Sequence, residues 1–199
     1  MSGIMDPGFS SDINLISLFD LVMFAASCVP LMVQQNVHGS DFFNRSWKEF
    51  KVRFNDTSGN YWLGNDRLHQ LTSIGHYKLR FDLQARNGSW YYAEYSRFIV
   101  HNETSNYRMH VSGYSGNAGD ALSYNDGMMF TTYDRDNDLA PNYNCAVRNG
   151  GGFWYNHCAY CGVNVVRGFF NDFEWGETDD ENDEAIKFHL QSSRMWLTC

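Results

Sequence analysis

Aspartates recur at alternate positions in the segment DRDNDLAPNYNC, which covers residues 134–145 and ends on a cysteine. In a flat strand, Asp134, Asp136 and Asp138 would lie about 7 Å apart along one face, too far apart to share one small ion. If the segment curls into a loop, the carboxylates converge and backbone carbonyls turn inward with them. Hard oxygen ligands suit calcium, whereas softer metals prefer cysteine or histidine. The segment therefore predicts a calcium site, and the alternative is an Asx-rich turn without metal.

The aspartate spacing begins like an EF-hand loop but does not continue like one. An EF-hand needs glycine at its sixth position and glutamate at its twelfth, where this chain has Leu139 and Cys145. The flanking helices of an EF-hand are also not indicated by the sequence. We therefore reject an EF-hand and keep a calcium loop of another kind.

Five cysteines are present, so at least one cannot pair within the chain. A disulfide between Cys145 and Cys158 would close a short loop and stabilise the fold by about 3 kcal/mol. Cys158 and Cys161 also form a C-x-x-C, but no second C-x-x-C or paired histidine completes a zinc site. A redox motif would need a βαβ context that is not indicated. The pairing of Cys161, Cys28 and Cys199 stays open.

Secretion is indicated by four N-x-S/T sequons, at Asn44, Asn55, Asn87 and Asn102. We expect these asparagines to carry glycans and the chain to be secreted, where disulfides persist.

The apolar stretch 13–33 leaves three interpretations open. A membrane helix would bury Asp20 at a cost of about 3 kcal/mol. A signal peptide normally has a basic start, but the first lysine or arginine is Arg45. The third interpretation is an irregular or truncated start to the domain, and a membrane span is the least favoured of the three.

The formal net charge of −8 is local, because six acidic residues lie between positions 177 and 184. This run is interpreted as a solvated loop, and a second, weak cation site is the alternative. No cluster of lysine and arginine is present, which argues against a nucleic-acid partner. The sequence also lacks the nucleophile elbow, the zinc-protease motif, the P-loop and the dinucleotide fingerprint, so we expect no enzyme activity.

The elements that must position these residues are mainly strands. Aromatic residues make up 17% of the chain and 17 residues are glycine, which favours twisted β-structure with many turns. Ser46 and Glu49 form a capping box that predicts a short helix to about Phe54. A second helix, capped by Asn65 or Asp66, and a series of strands are predicted from hydrophobic spacing. The helix covers 67–73; the antiparallel strands cover 76–83, 90–101 and 107–112, with a turn at 87–88; and a returning strand pair covers 185–197.

Several segments occur in the order in which they appear in the fibrinogen-like C-terminal domain of fibrinogen chains, ficolins and tachylectin-type lectins, and the sequence resembles that family over about 33–197. The segments are GSDFFNRSW at 39–47, YWLGN at 61–65, LHQLT at 68–72, YKLRFDL at 77–83, GYSGNAGD at 113–120, the aspartates at 134–138, NCA at 144–146 and FWY at 153–155.

The resemblance implies an α+β fold, with a central twisted antiparallel sheet, short helices and a loop-rich calcium-binding subdomain. Residues 1–30 are unmatched, and residues 31–199 form the fibrinogen-like domain. Within it the sheet subdomain is expected at about 31–125 and 184–198, and the loop-rich subdomain at about 126–183.

The resemblance also implies a set of site residues. Calcium is bound by the carboxylates of Asp136 and Asp138 and by the main-chain carbonyls of Ala140 and Asn142. The disulfide joins Cys145 to Cys158, and the bond before Cys158 is expected to be cis. The ligand pocket lies beside the calcium and is lined by Tyr155, His157, Cys158, Ala159 and Trp175.

Three functions follow from the resemblance. The first is a secreted, calcium-dependent lectin of innate immunity that binds glycans or acetylated groups. The second is an adhesion or assembly module that binds protein partners, and the third is a divergent copy with a degraded pocket. Lectin members carry histidine directly after the second cysteine, where this chain has Ala159. The ligand identity and homo-oligomerisation are not decided by the sequence.

Overall fold

The computed structural model of this protein describes residues 29–165, 173–176 and 188–198. Within these ranges no helix combines the length and the apolar character that a membrane crossing requires. Predictions for most of the apolar stretch 13–33, for the acidic run 177–184, and for Cys28 and Cys199 lie outside the described residues.

The architecture is one antiparallel sheet, whose strands differ in length, with a few short helices. This confirms the predicted α+β class. The strand order is β2-β3-β1-β8-β4-β5-β6, and β7 pairs with β8 beside this path. The strands are β1 (Leu31–Val37), β2 (Phe54–Asn55), β3 (Tyr61–Trp62), β4 (Lys78–Ala85), β5 (Trp90–Val100), β6 (Met109–Gly116), β7 (Glu174–Trp175) and β8 (Phe188–Thr198).

The helices are short and occupy the connections between strands. They are α1 (Trp47–Lys51), α2 (Asn65–Ile74) and α3 (Cys145–Asn149), with 3₁₀ turns at Asp41–Phe43, Glu103–Ser105 and Ser123–Asn125.

The predicted capping box is confirmed at the start of α1. The Ser46 amide donates to Glu49 Oε2 at 2.9 Å, and the Ser46 hydroxyl accepts the Glu49 amide. These bonds and the nearby Arg45 guanidinium lower the pKa of the Glu49 carboxyl. The helix ends at Lys51 rather than at Phe54, because Phe54 begins β2 and pairs with β3.

The start of α2 differs from the predicted cap. Gly64 precedes the helix with φ of +103°, and Asn65 is its first helical residue, buried rather than capping with its side chain. A Cβ at position 64 would lie 2.8 Å from the Val52 carbonyl carbon, so the close approach of two backbones requires glycine here.

The predicted strand pair at 185–197 is wrong, because the described part forms one strand, β8. This strand lies between β1 and β4 and pairs with both in antiparallel register, for example Leu197 with Leu31 and with Leu79. The backbone groups on both edges of β8 therefore have hydrogen-bond partners in β1 and β4, and no second strand next to it in the sequence is needed. Strand β1 lies at the end of the apolar stretch and was not predicted. Its buried face includes the polar residues Gln34 and Asn36, so the strand shows no alternation of apolar and polar residues.

Aromatic side chains fill the space between the sheet and the loop-rich part. The ring of Phe130 lies 5.0 Å from that of Trp154 and 4.9 Å from that of Phe50. Trp154 is fully buried and donates its indole N–H to the Tyr107 carbonyl at 2.7 Å. Trp154 is therefore a core residue.

A buried polar junction joins the sheet to the loop-rich part. The Gln34 amide in β1 donates to the Val163 carbonyl at 3.0 Å, to Asn164 Oδ1 at 3.0 Å and to the Ser193 hydroxyl at 3.1 Å. Asn36, on the same face of β1, donates to the Val163 carbonyl at 2.9 Å. Because these amides are enclosed, each bond prevents the cost of an unsatisfied buried polar group.

We expect Gln34→Met to lower the free energy of unfolding by about 1–3 kcal/mol, since Asn164 and Ser193 lose a buried partner. The matched control is Gln70→Met on the exposed side of α2, which should change stability by less than about 0.5 kcal/mol. Urea unfolding followed by tryptophan fluorescence measures both. Equal stabilities for the two variants would contradict a structural role for this junction.

Candidate functional site

Asp134 is separated from the other two aspartates by its partners. Its Oδ1 accepts the Trp47 amide at 2.8 Å and the Thr132 hydroxyl at 2.7 Å. The carboxylate therefore satisfies a free N–H in the first turn of α1, where negative charge is favourable. The three aspartates do not converge on one point, because Asp134 is bound to the helix.

Asp136 and Asp138 lie together at one bend of the loop. The Asp138 amide donates to Asp136 Oδ1 at 3.3 Å. Both oxygens of Asp138 are held by the backbone, Oδ1 by the Ala140 amide at 2.9 Å and Oδ2 by the Cys145 amide at 2.8 Å. Asp136 is exposed and Asp138 is half-buried. The two carboxylates fit the hard-oxygen donor set that calcium prefers.

Burial raises the pKa of the Asp138 carboxyl, and the neighbouring Asp136 carboxylate raises it further. The Cys145 and Ala140 amides act in the opposite direction because they stabilise the charged form. Burial therefore outweighs the two amides, and the pKa of Asp138 stays above its ordinary value.

The segment after Asp138 connects the bend to the cysteine turn. The Leu139 amide donates to the Asn156 carbonyl at 2.9 Å. Ala140 packs partly against the core and Asn142 is exposed. That the main-chain carbonyls of Ala140 and Asn142 bind calcium stays a prediction. Among the described residues, no three histidine, cysteine, aspartate or glutamate side chains form a metal cluster.

A disulfide joins Cys145, the first residue of α3, to Cys158, with the two Cα atoms 5.3 Å apart. This pairing confirms the prediction. The predicted cis bond before Cys158 is wrong, because no cis peptide bond occurs in the described residues. Instead Cys158 takes a left-handed φ of 64°, and the Asn156 amide donates to the Cys158 carbonyl at 2.9 Å. A tight turn is closed in this way with trans bonds.

Asn125 forms hydrogen bonds to the backbone of this turn, and the sequence analysis did not predict this role. Its buried side-chain amide donates to the Trp154 carbonyl at 2.8 Å and to the Cys158 carbonyl at 3.1 Å. No local sequence pattern indicates this role, since Asn125 and Cys158 are 33 positions apart.

Cys161, the second cysteine of the C-x-x-C, is a buried free thiol. Burial raises the pKa of this thiol, so it stays protonated. The motif does not form a pair of its own, because Cys158 is bonded to Cys145.

Two predicted pocket residues are part of the core instead. Tyr155 is 1% exposed and its hydroxyl donates to the Gly151 carbonyl at 2.7 Å. Trp175 is fully buried, donates to the Gly119 carbonyl at 3.1 Å and lies 4.9 Å from the Phe81 ring. Their polar atoms are satisfied internally and their rings fill the interior, so neither lines an open pocket.

The surface beside the disulfide carries a different set of aromatic rings. Tyr143 stacks with the exposed His157 at 5.9 Å between ring centroids, and its hydroxyl lies 3.0 Å from His157 Nε2. Tyr124 and Tyr160 form a second pair at 4.3 Å. We call Tyr124, Tyr143, His157 and Tyr160 the aromatic rim.

The two pairs of the rim are neighbours. Burial raises the pKa of the Tyr124 hydroxyl, and nearby Tyr160 and Tyr143 raise it further, whereas the His157 backbone N–H lowers it. The Arg148 guanidinium lies 4.6 Å above the Tyr143 ring. Of the predicted pocket residues, His157 belongs to this rim, Cys158 is buried beneath it and Ala159 is half-buried.

All four sequon asparagines, Asn44, Asn55, Asn87 and Asn102, are exposed. Their side chains are therefore accessible to glycosylation, which stays a prediction.

Comparison with known proteins gives a consistent result. The family described as "Fibrinogen beta and gamma chains, C-terminal globular domain" matches residues 25–197. Fibroleukin of Bos taurus is 40% identical over 156 residues, which cover 73% of this chain and 35% of fibroleukin. The chain thus spans about a third of that relative's length.

Two solved structures are similar in fold and sequence. The fibrinogen-like globe domain of human ANGPTL2 has a TM-score of 0.71 and 31% identity, covering 84% of this chain and 79% of that one. The lamprey fibrin D-dimer, complexed with the peptide ligand Gly-His-Arg-Pro-amide, has a TM-score of 0.68 and 28% identity, covering 84% and 60%.

The hydrogen bonds predict different effects for the two aspartates in calcium-free buffer. Asp138→Ala should lower the free energy of unfolding by about 1–3 kcal/mol, because the Cys145 and Ala140 amides lose their acceptor. Asp136→Ala should cost less than about 1 kcal/mol, since the side chain is exposed. Urea unfolding in EDTA measures both. A larger loss for Asp136→Ala than for Asp138→Ala would contradict the assigned roles.

Proposed function

Because this protein belongs to the family of C-terminal globular domains of the fibrinogen beta and gamma chains, we propose that it is an extracellular, calcium-dependent module for recognition or adhesion. Domains of this family are non-enzymatic recognition or assembly modules. The disulfide and the exposed sequons support an oxidising, extracellular setting.

The observation that carries the proposal is the connection between the aspartate bend and the cysteine turn. Asp138 accepts the amide of Cys145, and the next residue, Leu139, donates to Asn156. The disulfide then joins Cys145 to Cys158. An ion bound at the bend would therefore restrain the turn that carries His157.

Calcium is the proposed ion. Its ligands would be the carboxylates of Asp136 and Asp138, with the main-chain carbonyls of Ala140 and Asn142. Calcium would supply positive charge where the two carboxylates lie close together. A site with two carboxylates in an extracellular module has an affinity of about 10⁻⁴ to 10⁻³ M.

The proposed ligand surface is the aromatic rim, and the first candidate partner is a protein or peptide. Tyrosine and arginine are enriched among the residues that dominate binding energy, and Arg148 lies against Tyr143 in this surface. The similar lamprey fibrin D-dimer was solved with a peptide ligand, which supports this partner class.

The second candidate is the lectin function that the sequence suggested, with a glycan or an acetylated group as the ligand. The exposed His157 and the half-buried Tyr143 and Tyr160 favour it, since such rings combine an apolar face with a polar tip. The burial of Tyr155 and Trp175 weighs against it, because two predicted walls of the pocket are not available.

Calcium at about 10 mM should stabilise the fold by about 1.4–2.7 kcal/mol for affinities of about 10⁻³ to 10⁻⁴ M. For a protein of this size that corresponds to a rise in Tm of about 3–10 °C. Asp136→Asn should remove the rise. The control Asp41→Asn, at an exposed aspartate outside the bend, should keep it. Identical melting curves in calcium and in EDTA would overturn the calcium site.

Binding should depend on the rim and on calcium. We expect His157→Ala and Tyr143→Ala to weaken binding to a captured protein partner about tenfold or more, since residues that dominate an interface contribute 1–2 kcal/mol or more. The control is His76→Ala, an exposed histidine at the start of the β4 region. Peptide and acetylated-sugar arrays, each probed in calcium and in EDTA, measure the ligand class.

The array results separate the two candidates. Retention on acetylated sugars alone would replace the protein partner by the lectin function. Retention on neither array would favour a divergent copy with a degraded pocket. Binding that is equal in EDTA would contradict calcium dependence.

A further inference from the structure

Two histidines face each other at the end of the β5–β6 hairpin, outside the site described above. His101 follows β5, and His110 lies in β6 opposite Ile99. The His101 amide donates to the Arg108 carbonyl at 2.8 Å, so the backbone register places His101 and His110 at diagonal positions on one face of the hairpin. Their ring centroids are 5.4 Å apart and their planes cross at 81°.

This separation matches two ligands of one tetrahedral ion. A Zn–N bond of about 2.1 Å puts the metal about 3.2 Å from the centroid of each imidazole ring. Two such rings at a tetrahedral angle would then have centroids about 5.2 Å apart. The observed centroid distance of 5.4 Å between His101 and His110 is close to this value.

Asp126 orients one of the two rings. Its Oδ1 accepts the Val111 amide at 2.8 Å and lies 3.4 Å from His110 Nδ1. With Nδ1 facing the carboxylate, Nε2 of His110 is left to bind a metal. A carboxylate behind a histidine is the usual arrangement at metal sites, because it fixes the tautomer and raises the basicity of the ligand.

The surroundings leave the site open to solvent. The Arg108 guanidinium is directed to the Gly127 carbonyl. A concavity of about 380 Å³ lies over the pair and is also lined by Ser112 and Arg97, so water molecules can reach a bound ion.

We propose that His101 and His110 form an open Zn²⁺ site, with Asp126 as the positioning carboxylate and water in the remaining coordination positions. No third side chain of the described residues completes the site. The open positions are therefore available to a donor from a binding partner, and Arg97 beside them favours an anionic one. Imidazole ligands select zinc over calcium, so this site is chemically distinct from the aspartate bend.

The test is a titration of the whole protein with Zn²⁺ by isothermal calorimetry, with calcium present in excess throughout. We expect one zinc ion per molecule. His101→Gln and His110→Gln should each weaken binding at least about tenfold, and Asp126→Asn, which keeps the acceptor for Val111, about tenfold. The control His76→Gln should bind as the unaltered protein does. Because Asn102 adjoins His101, the titration is repeated after glycan removal.

The imidazole nitrogen resonances identify the ligands directly. Zinc should shift those of His101 and His110 and leave that of His76 unchanged. Melting curves in EDTA show whether each variant is folded, and the exposed His101 variant keeps the test informative if the His110 variant is not. Absence of zinc binding, or binding that survives both histidine substitutions, would overturn the site without affecting the calcium proposal.

Discussion

Buried side-chain amides hold the loop-rich part of this protein to its sheet. In the described part of the loops the backbone forms short β7 and isolated bridges rather than long ladders, so many of its enclosed polar groups need other partners. Gln34 bonds the Val163 carbonyl, Asn164 bonds the Gly152 carbonyl at 2.9 Å, and Asn125 bonds the Cys158 carbonyl. Each amide replaces a ladder hydrogen bond, and together they determine where the cysteine turn lies relative to the sheet.

Charge is distributed along the aspartate segment according to these partners. Asp134 lies at the start of α1, where its carboxylate accepts the Trp47 amide and negative charge is favourable. Asp136 and Asp138 lie together, and burial, with a smaller contribution from the Asp136 carboxylate, raises the pKa of the Asp138 carboxyl. The same segment thus contains one structural carboxylate and one pair that we propose to bind a cation. Asp138 belongs to both roles, because the Cys145 amide holds it even without an ion.

The fold identifies the family of this protein, whereas the ligand surface determines what it can bind. The scaffold is shared with the fibrinogen-like family, but function depends on the side chains that reach the surface. In this protein Tyr155 and Trp175 are enclosed, and His157, Tyr143, Tyr124 and Tyr160 form the rim. The histidine pair on the β5–β6 hairpin lies on another part of the sheet and has nitrogen rather than oxygen donors. The two proposed metal sites therefore differ in ligand chemistry.

The sequence by itself determined the structural features that depend on residues close together in the chain. The capping box at Ser46, the alternation in β4 and the pairing of Cys145 with Cys158 all follow from residues a few positions apart or from the order of motifs. The predicted ends of helices and strands were less accurate. The conformations of Phe54 and Asn65 depend on contacts with residues that are distant in the sequence.

Only the tertiary structure decided which side chains meet. Gln34 and Ser193 are 159 positions apart, and Asp134 and Trp47 are 87 apart. The sequence identifies a polar or aromatic residue at each place but does not state which one will be enclosed. The burial of Tyr155, the exposure of His157 and the approach of His101 to His110 depend on how the sheet and loops pack. The physical reason is that burial and pairing are properties of the assembled molecule, whereas propensity is a property of short segments.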